Sequence, residues 1–343
     1  MKRSRIITVV AASAVVVGSS LVGAGMATAA PVSVGAQWVN STADLGQETS
    51  AGYPATGWFT GDTAPATSGV PAFSPSGVTL TGPTQLLTAT SEPGVDLQEL
   101  VTSADFVSTG SVDFQIPMFL NTGGAAGADT NFTTLRPADF GDGDFVDGNG
   151  RWLSSAPVGT IPANTAANLA DFDAQITATS PNAEIIGYGF ITPAAATTTG
   201  TVQAVQFGGT TTYFTPDPEG TYQPTSGTVT EVTTDGIHVI GSGYFPGETI
   251  AVGFVPEGSQ TGGPIDGLTL TADADGSFDE QIVIPASVVT GPGTYTLALV
   301  GETSGIVLSE AFVVTADPTE APTPVTPVAP VPSAVPAAVT FAG

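Results

Sequence analysis

Short runs in which apolar and polar residues alternate recur along almost the whole chain, and they constrain the fold more than any other feature. Val112, Phe114 and Ile116 alternate with polar neighbours in one run, and residues 249–254 show the same pattern. A period of two residues is that of a β-strand with one buried face. The 43 glycines and 28 prolines among 343 residues supply turns between such runs. The pattern therefore predicts an all-β protein.

Changes in composition divide the chain into regions. A first region, residues 30–219, ends at a turn rich in Pro and Asp, and we interpret it as a β-sandwich domain. A second domain spans residues 222–315. From Ala316 to the end at residue 343 the chain is dominated by Pro, Val, Ala and Thr, which predicts a disordered tail.

The second domain contains seven β-type runs in about 95 residues, a density that predicts an immunoglobulin-like (Ig-like) sandwich. The runs are Thr228 to Val232, Ile237 to Gly243, Thr249 to Val255, Leu268 to Ala272, Ser277 to Ile284, Thr294 to Val300 and Ile306 to Val314.

Three segments of this domain carry a family resemblance. G-S-G-Y-F-P-G-E-T (241–249), A-D-A-D-G-S-F (272–278) and P-G-T-Y-T-L (292–297) resemble the Ig-like modules repeated in surface proteins of Gram-positive bacteria, especially high-GC ones. The resemblance covers residues 222–315 only. In that family the module is usually a spacer or stalk, so the resemblance implies that this domain presents another part of the chain.

The first domain has no clean repeat, and its pattern predicts a β-sandwich of jelly-roll or lectin-like type with one or two short helices. The helices are predicted over Val95 to Val107 and Asn168 to Ile176, where apolar residues recur at helical spacing. The predicted strands are Gly77 to Thr81, Gln85 to Thr90, Ser111 to Leu120, Ile185 to Ile191, Thr201 to Phe207 and Thr210 to Phe214.

The first 29 residues have the features of an export signal. Three cations within the first five residues precede an apolar stretch up to Met26, and Ala27-Thr28-Ala29 has the small-x-small pattern of a signal peptidase site. We expect residues 1–29 to be removed and the mature protein to be secreted, extracellular or associated with the cell wall. A retained membrane anchor is the alternative. No later segment is long and apolar enough to span a membrane.

The charged residues exclude many functions. Cleavage after Ala29 leaves two cationic residues, Arg136 and Arg151, and 31 Asp and Glu residues. The formal charge of the mature chain is then −29. Such an excess repels nucleic acids, so none is expected as a partner. The chain has no cysteine and one histidine, which excludes a thiol nucleophile and a multi-histidine metal centre. We interpret the histidine, His238, as an ordinary strand residue.

The densest polar cluster is the segment D-F-G-D-G-D-F-V-D-G-N-G-R-W at residues 139–152. Calcium takes about six to eight oxygen ligands on a flexible loop, which carboxylates, carbonyls and water can supply. The alternative is an exposed Asp/Gly loop whose charge is partly neutralised by Arg151. The predicted calcium ligands are Asp139, Asp142, Asp144, Asp147 and Asn149.

A ligand surface is predicted at Trp58, Arg151 and Trp152. Exposed aromatic rings can stack on the apolar face of a sugar while neighbouring acids bind its hydroxyls. The alternative is that both tryptophans belong to the core, where we also assign Trp38.

Together these features predict a secreted or surface non-enzymatic protein that binds an extracellular glycan or surface protein and is presented on an Ig-like spacer. Two alternatives stay open. One is a glycosidase that uses a pair of carboxylates, with Glu92, Glu99 and Glu184 as candidates. The other is a structural component of the wall or matrix without a specific ligand.

Overall fold

The structure, a computed structural model, describes residues 27–31, 35–47, 54, 56–61, 70–93, 96–102, 104–138, 150–192, 197–259 and 263–318. It confirms an all-β fold with few helices. The helices are α1 (Leu97–Thr102), α2 (Leu169–Thr179) and α3 (Val229–Thr234), with one 3-10 turn (Thr42–Asp44). The strands are β1 (Ala27–Pro31), β2 (Ala36–Trp38), β3 (Gly46–Gln47), β4 (Trp58–Thr60), β5 (Ala72–Ser74), β6 (Gly77–Thr81), β7 (Gln85–Pro93), β8 (Asp105–Gly110), β9 (Asp113–Phe119), β10 (Phe132–Pro137), β11 (Arg151–Ser154), β12 (Ala167–Asn168), β13 (Glu184–Ile191), β14 (Thr199–Phe207), β15 (Thr210–Tyr213), β16 (Glu219–Gln223), β17 (Ser226–Thr228), β18 (Ile237–Ser242), β19 (Thr249–Pro256), β20 (Pro264–Thr271), β21 (Phe278–Ile282), β22 (Gly293–Gly301) and β23 (Val307–Thr315).

Two sheets pack face to face in the first domain. Sheet 1 has eight strands in the order β12-β11-β10-β9-β13-β7-β4-β3. Sheet 2 has six strands, in the order β2-β15-β14-β6-β5 with β8 also paired to β14. Burial of apolar area between the sheets is the main stabilising term. The aromatic side chains of this core are Trp58, Phe106, Phe114, Trp152, Phe172, Tyr188, Phe190, Phe207 and Phe214.

Two short helices complete this core. α1 and α2 contact each other, and Leu97, Val101 and Phe172 are among the residues they bury in the core. The helix predicted from Val95 to Val107 is shorter than expected, because the chain enters strand β8 at Asp105 and pairs there with β14. The strand pairing outweighs the helical spacing of the apolar residues.

The second domain has the strand order of an Ig-like sandwich. β16, β18 and β21 form one layer, and β20, β19, β22 and β23 form the other, with β17 parallel to β23. β1 pairs with β16 through Ala27 to Ala29, which belong to the predicted export signal, and with β23 through Ala30 and Pro31. Tyr295, near the start of β22, donates a hydrogen bond from its hydroxyl to the carbonyl of Gly291 at 2.8 Å. This is the tyrosine corner found in Ig-like sandwiches.

One strand prediction in this domain is wrong. Residues 228–232 were predicted as a strand from their β-branched side chains, but α3 begins at Val229. Thr228 accepts a hydrogen bond from the Glu231 amide at 3.2 Å, and the Thr228 amide donates to the Glu231 carboxylate at 2.7 Å. This reciprocal capping box starts a helix despite the low helix propensity of Val and Thr.

The outer face of sheet 2 lies against one end of the second domain. Val107, Ala204, Tyr213 and Trp38 occupy paired positions on β8, β14, β15 and β2, so they form one row across the sheet. All four belong to or pack against the core of the second domain. The junction between the domains is therefore apolar and continuous with that core.

The chain leaves the second domain at the end far from this junction. β23 begins after the loop at residues 302–305 and ends at Thr315, and its nine residues span about 30 Å. Asp317 then accepts a hydrogen bond from the Thr230 amide at 2.9 Å. Of the predicted tail (residues 316–343) and the predicted export signal (residues 1–29), residues 319–343 and 1–26 lie outside the described residues. Among the described residues, no helix is long and apolar enough to cross a membrane.

Candidate ligand-binding surface

The prediction that Trp58 and Trp152 belong to an exposed ligand surface is wrong, because both side chains are buried. Trp58 is 1% exposed and Trp152 is 0% exposed, and both lie between the two sheets of the first domain. Trp58 donates its indole N–H to the Thr212 hydroxyl at 3.1 Å and contacts Phe214 edge-on at 4.9 Å. Because the rings are enclosed by other side chains, neither offers a face to a ligand. The alternative assignment to the core is the one observed.

Trp38, which we assigned to the core, lies at the domain junction. Its ring is half-buried and stacks on Tyr213 with centroids 5.1 Å apart. The indole nitrogen is buried without a hydrogen-bond partner among the described residues. Trp38 therefore contributes to the contact between domains.

Arg151 is exposed, and its guanidinium donates to the carbonyl of Ala166. Arg136, on the neighbouring strand β10, contacts the carboxylate of Asp113 at 3.5 Å. The Asp113 side chain is 1% exposed and that of Arg136 is 30% exposed, so the ion pair neutralises a buried carboxylate. Both cations that follow the export signal thus have partners within the first domain.

The predicted calcium loop lies outside the described residues. Asp139, Asp142, Asp144, Asp147 and Asn149 all fall in the interval 139–149. The structure describes the two ends of this loop, where the Ala138 amide donates to the Arg151 carbonyl at 2.7 Å and continues the pairing of β10 with β11. Elsewhere in the described residues, no group of three or more His, Asp or Glu side chains could hold a metal ion. The calcium site stays a prediction.

An exposed aromatic pair lies on the outer face of sheet 1, where sequence reasoning did not place it. Phe132 on β10 is opposite Phe119 on β9, and Phe119 is opposite Glu184 on β13. The two rings meet edge to face, with centroids 5.8 Å apart and planes at 69°. Phe132 is 46% exposed, and Phe119 and Glu184 are half-buried. We call these three residues the aromatic patch.

The sequence contains a signal for the aromatic patch. In β9 the residues that face the core are Phe114, Ile116 and Met118, so Phe119 falls in the register of the outward-facing residues. A phenylalanine in the polar register of an amphipathic strand indicates an exposed ring.

The loop between β9 and β10 holds the aromatic patch in place. Its ends are joined by hydrogen bonds between the backbones of Asn121 and Thr130 and between the Asn121 side chain and the Thr130 amide, both at 3.0 Å. Asn182, which precedes β13, donates from its side chain to the Gly124 carbonyl at 2.7 Å. These bonds connect all three strands of the patch at one end of sheet 1.

The aromatic patch points away from the second domain. Sheet 1 and sheet 2 pack through their inner faces, and the outer face of sheet 2 contacts the second domain. The outer face of sheet 1 is therefore on the opposite side of the sandwich. The exposed ring of Phe132 therefore lies on the face that is turned away from the second domain.

The loops of the Ig-like module at the junction are in contact with Tyr213 of the first domain. Tyr213 donates its hydroxyl to the Ser304 carbonyl at 2.8 Å and its ring contacts Phe245 at 6.3 Å. Burial, together with the negative charges of Glu248 and Asp105, raises the pKa of Tyr213 to about 12, so the hydroxyl keeps its proton and remains a donor.

Glu248 connects the loop that contains Phe245 to the loop that contains Ser304 by hydrogen bonds. Its buried carboxylate accepts hydrogen bonds from the amides of Phe245 at 2.6 Å, Ser304 at 2.9 Å and Thr303 at 3.2 Å. The end of the second domain that carries these loops is therefore held by hydrogen bonds and covered by the first domain. It offers little surface for another ligand.

Of the residues considered for enzymatic chemistry, Glu184 and Glu92 lie one position apart on the paired strands β13 and β7, and Glu99 and His238 lie on other elements. Glu184 belongs to the aromatic patch, Glu92 lies on β7 opposite Ile185, and Glu99 lies on α1. The side chains of Glu92 and Glu99 are outside the described set, so a carboxylate pair stays a prediction. His238 contacts Asp279 at 2.5 Å on an exposed face of the second domain.

Comparison with known proteins adds no relative. No family model matches the chain, and neither a curated protein nor a solved structure is found to be similar to it. The resemblance of residues 222–315 to bacterial Ig-like modules therefore stays an expectation drawn from their sequence.

Proposed function

We propose that this chain is an exported, non-enzymatic protein whose first domain binds an extracellular glycan at the aromatic patch. The observation that carries the proposal is the pair formed by the exposed Phe132 and the half-buried Phe119 beside Glu184, on the face turned away from the Ig-like module. Aromatic rings cover the apolar face of a sugar ring, and a carboxylate accepts hydrogen bonds from its hydroxyls.

The arrangement of the domains supports a role in presentation. The first domain contacts one end of the Ig-like sandwich through Tyr213, and the chain continues from the other end after Thr315. A spacer domain holds the part that it presents away from the rest of the chain when its two connections are at opposite ends. The loops that Ig-like domains commonly use for binding are occupied at the junction, so we assign recognition to the first domain.

The proposal is tested by screening the mature chain, residues 30–343, on a glycan array. Replacement of the exposed ring in Phe132→Ala should weaken binding about tenfold, since loss of an anchoring aromatic ring costs on the order of 1.4 kcal/mol or more. Val313→Ala is the matched control, because Val313 is 45% exposed but lies on the second domain. Equal binding by both variants and the parent protein would overturn the assignment to the aromatic patch.

The same array separates the remaining alternatives. Binding that is lost in EDTA, and lost in Asp142→Ala and Asp144→Ala, would assign a role to the predicted calcium loop. Release of shortened glycan by the parent protein would identify a glycosidase and contradict the non-enzymatic proposal. An array without a bound glycan would leave the structural component of the wall or matrix as the function.

A further inference from the structure

The charges around the aromatic patch restrict the ligand that it can hold. Glu184 places a carboxylate one strand away from Phe119, at the directly opposite position. Opposite residues on neighbouring strands have Cβ atoms about 4.5 to 5.5 Å apart, so the carboxylate and the two rings can contact one sugar residue. An anionic group bound there would be repelled by Glu184.

The described part of the first domain offers no compensating cation next to the patch. Arg136 lies four residues beyond Phe132 on β10, which is about 13 Å along the strand, and it contacts the buried Asp113. Arg151 lies on the next strand and donates to the Ala166 carbonyl. The remaining Lys and Arg residues of the chain all precede residue 6.

A cation, in contrast, would be stabilised by every part of the patch. The faces of aromatic rings attract ammonium groups, with about 0.5 to 1 kcal/mol per contact at exposed sites. A carboxylate forms charge-assisted hydrogen bonds with an ammonium group, and these are stronger than neutral ones. The formal charge of the chain, −26 including the export signal, favours the approach of cationic polymers.

We propose that the aromatic patch selects glycans that carry free amino groups, as in a polymer of glucosamine, over neutral and anionic glycans. In this arrangement Phe119 and Phe132 cover the apolar face of the sugar, and Glu184 accepts hydrogen bonds from its ammonium group. The inference rests on the proposed function and names the class of glycan for the same site.

The test compares oligomers of glucosamine and of N-acetylglucosamine of equal length, measured by titration calorimetry on the mature chain at about pH 6. We expect the glucosamine oligomer to bind about tenfold more tightly. Glu184→Gln should remove this preference, so that the two oligomers bind with equal affinity. Glu280→Gln is the control, because it removes the same charge from an exposed position on the second domain.

The outcomes separate the two proposals. Equal binding of the two oligomers, with a loss of both in Phe132→Ala, would overturn the selection of amino groups and keep the glycan-binding function. An equal loss of affinity for the glucosamine oligomer in Glu184→Gln and Glu280→Gln would show attraction to net charge alone and would also overturn the selection. Absence of binding by both oligomers would overturn the selection at this site, while the glycan array decides the function.

Discussion

The two domains are both β-sandwiches, but their strands are buried in different ways. In the Ig-like module, β22 and β23 alternate between buried and more exposed residues over most of their length. In the first domain, β9 is buried on both faces from Asp113 to Met118. The polar residues on its outer face are satisfied by partners, as in the hydrogen bond from Gln115 to Gln85 at 2.9 Å. Alternation therefore predicted the strand β9 correctly, but its polar face is buried and hydrogen-bonded and does not meet water.

The comparison also separates two kinds of exposed surface. Among the described residues of the second domain, the exposed large apolar residues are the aliphatic side chains of Ile240, Val283 and Val313. The outer face of sheet 1 in the first domain mixes a buried ion pair at Asp113 with the exposed rings of the aromatic patch. A domain that carries both features at its distal face is the one we expect to bind.

The prediction with the largest expected effect tests whether the two cores unfold independently. Phe190→Ala in the first domain and Phe312→Ala in the second each remove a ring that is 0% exposed, which costs about 3 to 5 kcal/mol. Differential scanning calorimetry should show a different transition lowered in each variant, by roughly 10 °C for Phe190→Ala in the larger first domain and by roughly 20 °C for Phe312→Ala in the smaller second domain. A common shift of the whole profile by both variants would show instead that the junction couples the cores into one cooperative unit.

A smaller effect is expected from the two tyrosine hydroxyls. Tyr213→Phe removes the hydrogen bond to Ser304 across the junction, and Tyr295→Phe removes the tyrosine corner to Gly291. Each should lower the free energy of unfolding by about 1 kcal/mol, because a carbonyl loses its donor. Only Tyr213→Phe should also increase the motion between domains, measured by small-angle scattering or proteolysis near the junction. Increased motion in both variants would contradict the assigned roles.

The smallest expected effect is on the pH dependence of stability that arises from Asp105 at the junction. Burial raises the pKa of the Asp105 carboxyl, although the Phe106 amide, which donates to it at 2.9 Å, opposes this shift. The folded protein therefore holds this proton to higher pH than the unfolded chain, whose aspartate pKa is about 3.9. Its contribution to stability is present below that value and is lost as the pH rises through the folded pKa.

Asp105→Asn should consequently be more stable than the parent protein at neutral pH and should lack this part of the pH dependence. Urea denaturation of both proteins at about pH 4 and about pH 7 measures the difference. The same change in stability between the two pH values for both proteins would contradict the role given to Asp105.

Much of the architecture was predictable from local pattern. β6 spans Gly77–Thr81 as predicted, and α2 lies within three residues of its predicted ends. The error at residues 228–232 arose because the β-branched residues outweighed the capping signal of Thr228 and Glu231, which was present in the sequence. The site was less predictable. Trp58 and Trp152 were placed at a surface because neighbouring glycines, prolines and acids suggested exposure, while burial depends on which face of which sheet each ring occupies.

The sequence by itself determined the β-rich class and the shortage of cations that restricts the proposed ligand, and it predicted a division into two domains and a tail. Periodicity and composition act locally, so they can be read along the chain. The tertiary structure decided which aromatic rings are exposed, because Phe119, Phe132 and Glu184 are brought into one row by strand register between distant segments. It also decided that Tyr213 closes the loop end of the Ig-like module. The outward register of Phe119 can be read locally, but its partners depend on strand pairing and the Tyr213 contact depends on packing between domains, which join segments that are distant in the chain.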